Sequence, residues 1–479
     1  MSSQKIMKYS DSIVAVLFAI FLICAFCFGG SSRPDAGTQI IVRLASVIML
    51  AVALFLSSGR DLARVKFPLL FLGSLTALMI IQSIPLPPFI WTALPGRELF
   101  ASGASILGVE QPWRPISLAP DATLNSILST LPGFAALVGL ASFPKARMSW
   151  LLALVIGLTM VSATMGVLQI SSGELYLFDI TNRGSSVGFF ANRNHHAALL
   201  TAVLPALAAL AIYPSDRLVQ LRLPLACALA LFLVPMVLIT GSRAGLLLLL
   251  VGLAGAMMLV RPAWRTRNGA PAAVQSFLAS RLGKASTFGF AIVLIAIVVT
   301  SIVLSRALAI QRLFAQDVEA DTRLRLFGVL VDMTKNYFPV GSGFGSFPVV
   351  FKIVEPDWYL GPSYFNHAHN DILEVLIEGG GASLALGLGF LIWAIRASIR
   401  IWRPVRQLEG AILLGRMGSL QVLMLVLASI ADYPLRTPLN QVLFVIGCGL
   451  MALASEAVKR AGPERPEAPN RRVSPRVAG

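Results

Sequence analysis

Charge is what this 479-residue sequence has least of. Asp, Glu, Lys and Arg make up 13% of it, against 56% hydrophobic residues, and the mean hydropathy is +0.77. That balance excludes a soluble fold and requires an integral membrane protein. Cysteine is equally scarce: Cys24, Cys27, Cys227 and Cys448 all lie inside apolar runs, so neither a disulfide frame nor a zinc ribbon is indicated. Cys24 and Cys27 form a C-x-x-C without a βαβ pattern around it and read as small buried side chains. The ten-residue alternation of an outer-membrane barrel is missing, as is an internal repeat of the transporter kind. Histidine occurs four times. Two of the four stand two residues apart, at positions 367 and 369.

What is present in abundance is apolar runs near the 20 or so residues that cross a bilayer as a helix. The pattern predicts an all-α protein of about twelve transmembrane helices, over 13–30, 40–57, 67–84, 123–142, 149–170, 196–213, 222–240, 244–260, 287–305, 371–395, 412–431 and 438–455. Lys5 and Lys8 before the first run resemble a signal sequence, but no small-x-small site follows and the run is long enough to span. The expected organisation is helices one to nine over 1–305, a large loop over 306–370, helices ten to twelve over 371–455 and a basic tail over 456–479.

The even count places both termini on one side, where 25 of the 39 Lys and Arg and 7 of the 23 Asp and Glu fall. The result is +18 on that side and −2 on the other, a positive-inside signal that makes the termini cytoplasmic. The overall +16 is therefore a topology signal and does not call for a nucleic-acid partner. The outward loops 85–122, 171–195 and 306–370 are long and carry aromatic residues, which predicts a small extracytoplasmic cap.

Every unusual polar cluster falls on the outer face of this topology, including Asp432-Tyr433-Pro434-Leu435-Arg436-Thr437-Pro438 between helices eleven and twelve, and all could line one cavity. Asn192-Arg193-Asn194-His195-His196 leads into helix six, and Gly241-Ser242-Arg243-Ala244-Gly245 turns between helices seven and eight. Arg243 is the sole charge between Leu223 and Val260; it is either a snorkelling anchor or a ligand group. Asp321-Thr322 precedes a stretch in which Leu324, Phe327 and Val331 recur at helical spacing, predicting an amphipathic helix capped at Asp321 or Thr322, with Arg323 and Arg325 off its apolar stripe. Gly341-Ser-Gly-Phe-Gly345 lacks the Gly-Lys-Ser/Thr ending of a nucleotide loop and reads as a turn. The loop ends in Asn366-His367-Ala368-His369-Asn370-Asp371, and Asn370 or Asp371 can cap the next helix. Asp371, Glu374 and Glu378, at i, i+3 and i+7, share one face of that helix, able to orient His369 and to pair with Arg243 or Arg436. A neutral histidine at such a terminus accepts a proton; a metal site and a structural role are the competing readings.

Phe189-Phe-Ala-Asn-Arg-Asn-His-His196, Gly-Ser-Arg-Ala-Gly (241–245), Thr322-Arg-Leu-Arg-Leu-Phe327, Pro339–Phe347 and His367-Ala-His-Asn-Asp-Ile-Leu-Glu374 together resemble the O-antigen ligase and O-antigen polymerase superfamily. The likeness is close over about 186–380, with Phe327 standing where relatives often carry Trp. The resemblance implies a glycosyltransferase of the bacterial inner membrane, working without metal or nucleotide at the periplasmic face. Its donor would be a glycan linked to undecaprenyl diphosphate and its acceptor a sugar hydroxyl of lipid A-core or of a growing polysaccharide. It further implies that His369 is the general base and that Arg243 and Arg323 clamp the diphosphate. Arg193, His195, His196, Arg325, His367, Asn370, Asp371, Glu374 and Arg436 would then position donor or acceptor. Rival readings are a lipid-linked glycan flippase or transporter, a protein O-oligosaccharyltransferase and a scaffold subunit of polysaccharide assembly.

Overall fold

A computed structural model describes residues 3–214, 219–265, 318–361, 365–405 and 408–461. In chain order the helices are α1 (Ser3–Phe28), α2 (Thr38–Leu56), α3 (Gly59–Arg64), α4 (Lys66–Gln82), α5 (Pro88–Trp91), α6 (Glu98–Leu107), α7 (Pro120–Leu128), α8 (Leu131–Ser142) and α9 (Met148–Ser172). They continue as α10 (Arg193–Ala202), α11 (Leu204–Ile212), α12 (Val219–Ile239), α13 (Arg243–Arg265), α14 (Val318–Tyr337), α15 (Phe347–Val354), α16 (Asp371–Ile401), α17 (Gly410–Ala431) and α18 (Pro438–Ala461). Among the described residues the only sheet pairs β1 (Pro85–Leu86) antiparallel with β2 (Arg114–Pro115).

Ten segments among the described residues are long and apolar enough to cross a membrane, which makes the chain a multi-pass, all-α membrane protein. Of the twelve expected spans, 67–84 corresponds to α4, an apolar helix of 17 residues, and 287–305 lies outside the described residues. Two others are each broken near a proline: α7 gives way to α8 at Pro132, and α10 to α11 at Pro205. Cys24, Cys27 and Cys227 are half-buried and Cys448 is buried, all four as free thiols.

With lipid outside, helix association rests on close packing of small residues. The α17–α18 pair shows this: a Cβ on Gly418 would come within 2.8 Å of the Gly447 carbonyl oxygen, and one on Gly415 within 2.1 Å of Ala454 Cβ. The turn joining these two helices, 432–437, lies at one end of this pair. The same end receives the exit of α1, whose Gly29 and Gly30 carbonyls accept from Leu439 and Ala191.

A second core lies in the connection before α16. Leu326, Leu330, Met333 and Tyr337 of α14 pack with Phe347, Val350 and Phe351 of α15, with Phe365 and Ala368 of the histidine motif, and with Ile377. Ala368 is buried in this core, so the two histidines flanking it are carried on a plugged loop. Two expectations for α14 fail. The helix is already under way at Val318, so neither Asp321 nor Thr322 caps it. Its buried stripe is Leu326, Leu330, Met333 and Tyr337, whereas Leu324 and Phe327 point outward, 80% and 52% exposed. The segment has enough apolar residues to draw a stripe in either phase, and the cap core takes the other one.

Candidate active site

Asn370 ends the histidine loop as the N-cap of α16, its Oδ1 accepting from the backbone N–H of Ile372 and Leu373 at 3.1 and 3.0 Å. His369, just before it, has φ +50°, a left-handed backbone that few residues other than glycine adopt. This bend turns its ring away from α16 and toward the α17–α18 turn. There His369 Nδ1 donates to Asp432 Oδ1 at 3.0 Å. The ring is further enclosed by Phe365 and Tyr433, with centroids 5.0 and 4.8 Å away.

Asp432 is the hub of the arrangement. Its side chain is buried, and Oδ2 accepts from Asn194 Nδ2 at 2.6 Å and from Asn192 Nδ2 at 3.5 Å. Arg323 Nη1 lies 3.7 Å from the same oxygen, and His195 Nε2 3.8 Å from Oδ1. Burial works against ionisation of Asp432, but the Arg323 guanidinium and the His369 ring overcome it and hold the carboxyl well below the usual range. His369 is shifted down, by burial first; Asp432 offsets this in part, while Arg323 and His367 add to it. The consequence is a neutral imidazole hydrogen-bonded to a fixed carboxylate, with Nδ1 as the donor and Nε2 as the basic atom.

A second network sits one turn deeper. His367 Nδ1 meets Glu374 Oε1 at 2.7 Å, and the Ala368 N–H donates to Glu374 Oε2 at 2.8 Å. The Arg436 guanidinium faces Asp371 at 3.5 Å, Glu374 at 3.3 Å and Glu378 at 3.0 Å; burial works against its charge, but these carboxylates overcome it and raise its pKa. The i, i+3, i+7 face therefore does collect an arginine, and it is Arg436. It does not orient His369, because Glu374 reaches the other histidine and Asp432 has taken His369. Glu378 Oε1 also accepts from the N–H groups of Gly345 and Phe347 at 2.8 and 3.2 Å. The Gly-rich turn thus spends its donors on the protein.

Gly380, two residues beyond Glu378, breaks α16 with φ +58°, and a Cβ there would come within 2.2 Å of the Pro339 carbonyl oxygen. Gln82 at the end of α4 ties the same junction, donating to the Glu378 carbonyl and accepting from the Phe344 N–H.

Not every candidate joins this site. His196 is buried behind it, with Nδ1 3.1 Å from the Ser186 carbonyl oxygen. Arg325 stacks on Trp358, its guanidinium 4.0 Å from the ring centroid. Arg193 receives its backbone anchor from Asn182 Oδ1. Arg243 opens α13, where Gly245 lies so close to α10 that a Cβ would reach Ala197 Cβ at 2.7 Å. Arg243 thus stands at the end of the bundle that holds His195. The third ligand that a His-x-His metal site needs is not found among the described residues. Asn192, Asn194, Asp432 and Tyr433 belong to outer-face clusters that the sequence marks as able to line one cavity, but it gives none of the four a role of its own. The polar Asp432–Thr437 turn and the two asparagines flanking Arg193 were the available signals.

Residues 228–388 match a family model described as O-antigen ligase. Over this stretch the chain is similar to the O-antigen ligase family. The stretch contains His369, Arg323 and Arg243, together with Asp371, Glu374 and Glu378. Asp432, Arg436 and the Asn192–Asn194 pair lie outside the O-antigen ligase stretch in sequence and complete its polar networks in space. No curated protein matches the chain.

Proposed function

We propose that the protein transfers a saccharide from a polyprenyl diphosphate to an acceptor sugar hydroxyl by direct displacement. The observation that carries this reading is the His369–Asp432 contact, a neutral imidazole oriented by a buried carboxylate, with Arg323 on the far side of that carboxylate. The acceptor hydroxyl oxygen forms a bond to the anomeric carbon as the bond from that carbon to the diphosphate oxygen breaks. The hydroxyl proton passes to His369 Nε2, and the electron pair of the broken bond leaves on the diphosphate. Asp432 keeps Nδ1 protonated and stabilises the imidazolium that forms, a contribution of the kind that supplies about 10²–10⁴-fold in rate. Arg323 and Arg243 are the groups assigned to the developing diphosphate charge.

Arg436 has three carboxylate partners and is assigned to holding the start of α16 against the α17–α18 turn. The charge asymmetry of the loops supports a periplasmic site and cytoplasmic termini in a bacterial inner membrane. Undecaprenyl diphosphate is the donor carrier this implies, and lipid A-core or a growing polysaccharide the acceptor. A flippase would carry its charges at mid-membrane between repeats, whereas these stand at helix ends.

The cellular test is to delete the gene and restore it with His369→Ala or Arg323→Ala. Both variants should leave glycan on the lipid carrier, as long chains for a ligase or as single repeat units for a polymerase. Full restoration by His369→Ala would refute the proposal.

A further inference from the structure

The segment between α4 and α7 carries an exposed surface that the proposed chemistry does not use. Successive residues of a helix step by about 100°, and on that step α6 divides into three sectors. Ala104 turns into the protein; Glu98, Ser102 and Ser105 form a polar sector; Leu99, Gly103, Ile106 and Leu107 form an apolar one. Ile106 and Leu107 are 83% and 76% exposed. A helix facing water alone has no use for that third sector, whereas a helix lying in a membrane interface has all three.

The chain leading into this segment is apolar and exposed as well. Ile80 and Ile81 near the end of α4 and Ile84 just beyond it are exposed, and the chain runs from there through β1 into α5, where Phe89 is exposed too. Trp113, exposed just before β2, is the residue type that settles at the headgroup level. The two arginines of this segment are turned to the protein and not outward. Arg97 donates to the carbonyls of Pro95, Ile116 and Gly341, and Arg114 lies over the Trp91 ring and donates to the Phe100 carbonyl.

We infer that α5 and α6 form a membrane-docking platform, with the Leu99, Gly103, Ile106 and Leu107 face seated in the lipid leaflet on the side of the histidine site. The occupant of this face is acyl chain, because its exposed sector is apolar and its arginines are committed elsewhere. The platform is also tied to the neighbouring part of the protein. Arg97 grips Gly341 of the Gly-rich turn and lies over Tyr337 at the end of α14, the helix that carries Arg323.

The test uses the full chain, with its four native cysteines replaced by alanine, in phosphatidylcholine nanodiscs. Ile106→Cys and Ser105→Cys are each labelled with an environment-sensitive nitrobenzoxadiazole probe. Lipids carrying a nitroxide near the top of the acyl chain should quench the probe at 106 about twofold or more above that at 105. Equal, water-like emission at both positions would overturn the inference. So would a probe at 106 that is shielded from water, untouched by the nitroxide lipid and able to cross-link to a second copy. If the cysteine-free chain fails to fold, Trp113 serves in the otherwise native protein. Comparison with Trp113→Phe should show that the lost emission was quenched by nitroxide lipid, and loss of an iodide-quenched component instead would refute docking. Neither readout depends on catalysis, so failure here is distinguishable from failure of the glycosyl-transfer reading.

Discussion

Asp432→Asn is the substitution that most sharply separates a catalytic His369 from a structural one. The carboxylate accepts hydrogen bonds from Asn194, Asn192, His369 and the Tyr433 N–H, and an asparagine can replace the acceptors on one side only. Keeping its oxygen toward Asn194, where the contact is 2.6 Å, turns the amide NH₂ toward His369 Nδ1. The ring must then accept at Nδ1 and carry its proton on Nε2, the atom needed as the base. A carboxylate and an imidazolium 3.0 Å apart attract by about 5 kcal/mol at an effective dielectric of about 20. The amide dipole recovers part of this, so a net loss of about 3–5 kcal/mol at the transition state corresponds to about 10²–10⁴-fold in kcat. The assay is saccharide transfer by the purified protein in nanodiscs, with kcat and the donor KM determined separately. A loss confined to KM, or a kcat within about threefold of wild type, would refute the assignment.

Three further outcomes follow from the same geometry. His369 must be neutral to act and its pKa is lowered from the ordinary value of about 6.5, so log kcat/KM should fall on the acid side with an apparent pKa below 6.5; in Asp432→Asn, which removes the group raising it, that limb should move to lower pH, and an unmoved limb would argue against His369. Arg436→Met leaves three carboxylates without their counter-charge and should destabilise the protein by about 3–5 kcal/mol, read as a lower thermal midpoint in detergent, with Arg436→Lys intermediate. Gly380→Ala places a Cβ against the Pro339 carbonyl at a left-handed backbone position and should cost at least about 1–3 kcal/mol, whereas Gly387→Ala, with nothing within 4 Å, should cost nothing measurable in the same melt.

The parts of this account legible in the sequence are those governed by short-range rules. Apolar runs give spans, Asn370 gives a cap, and three carboxylates at i, i+3 and i+7 give one face whatever lies opposite. What lies opposite was harder to read, because partners come from distant turns: Asp432 meets His369 across 63 positions and Asn194 across 238. Among the arginines, only packing could distinguish Arg323, which reaches Asp432, from Arg325, which lies on Trp358. The phase of α14 was misread because the helix carries apolar residues on more than one side. Leu324 and Phe327 are exposed, yet with Val331 they make a stripe as regular as the buried one. Periodicity locates such a helix without saying which side turns inward.

The central claim is that His369 takes the proton of the attacking hydroxyl. Its most direct test is the initial rate of saccharide transfer from polyprenyl diphosphate by purified His369→Ala in nanodiscs, with folding checked by an unchanged thermal midpoint. The account predicts a kcat lower by about 10²–10⁴-fold with a donor KM close to wild type. Transfer at near the wild-type rate by the folded variant would contradict it.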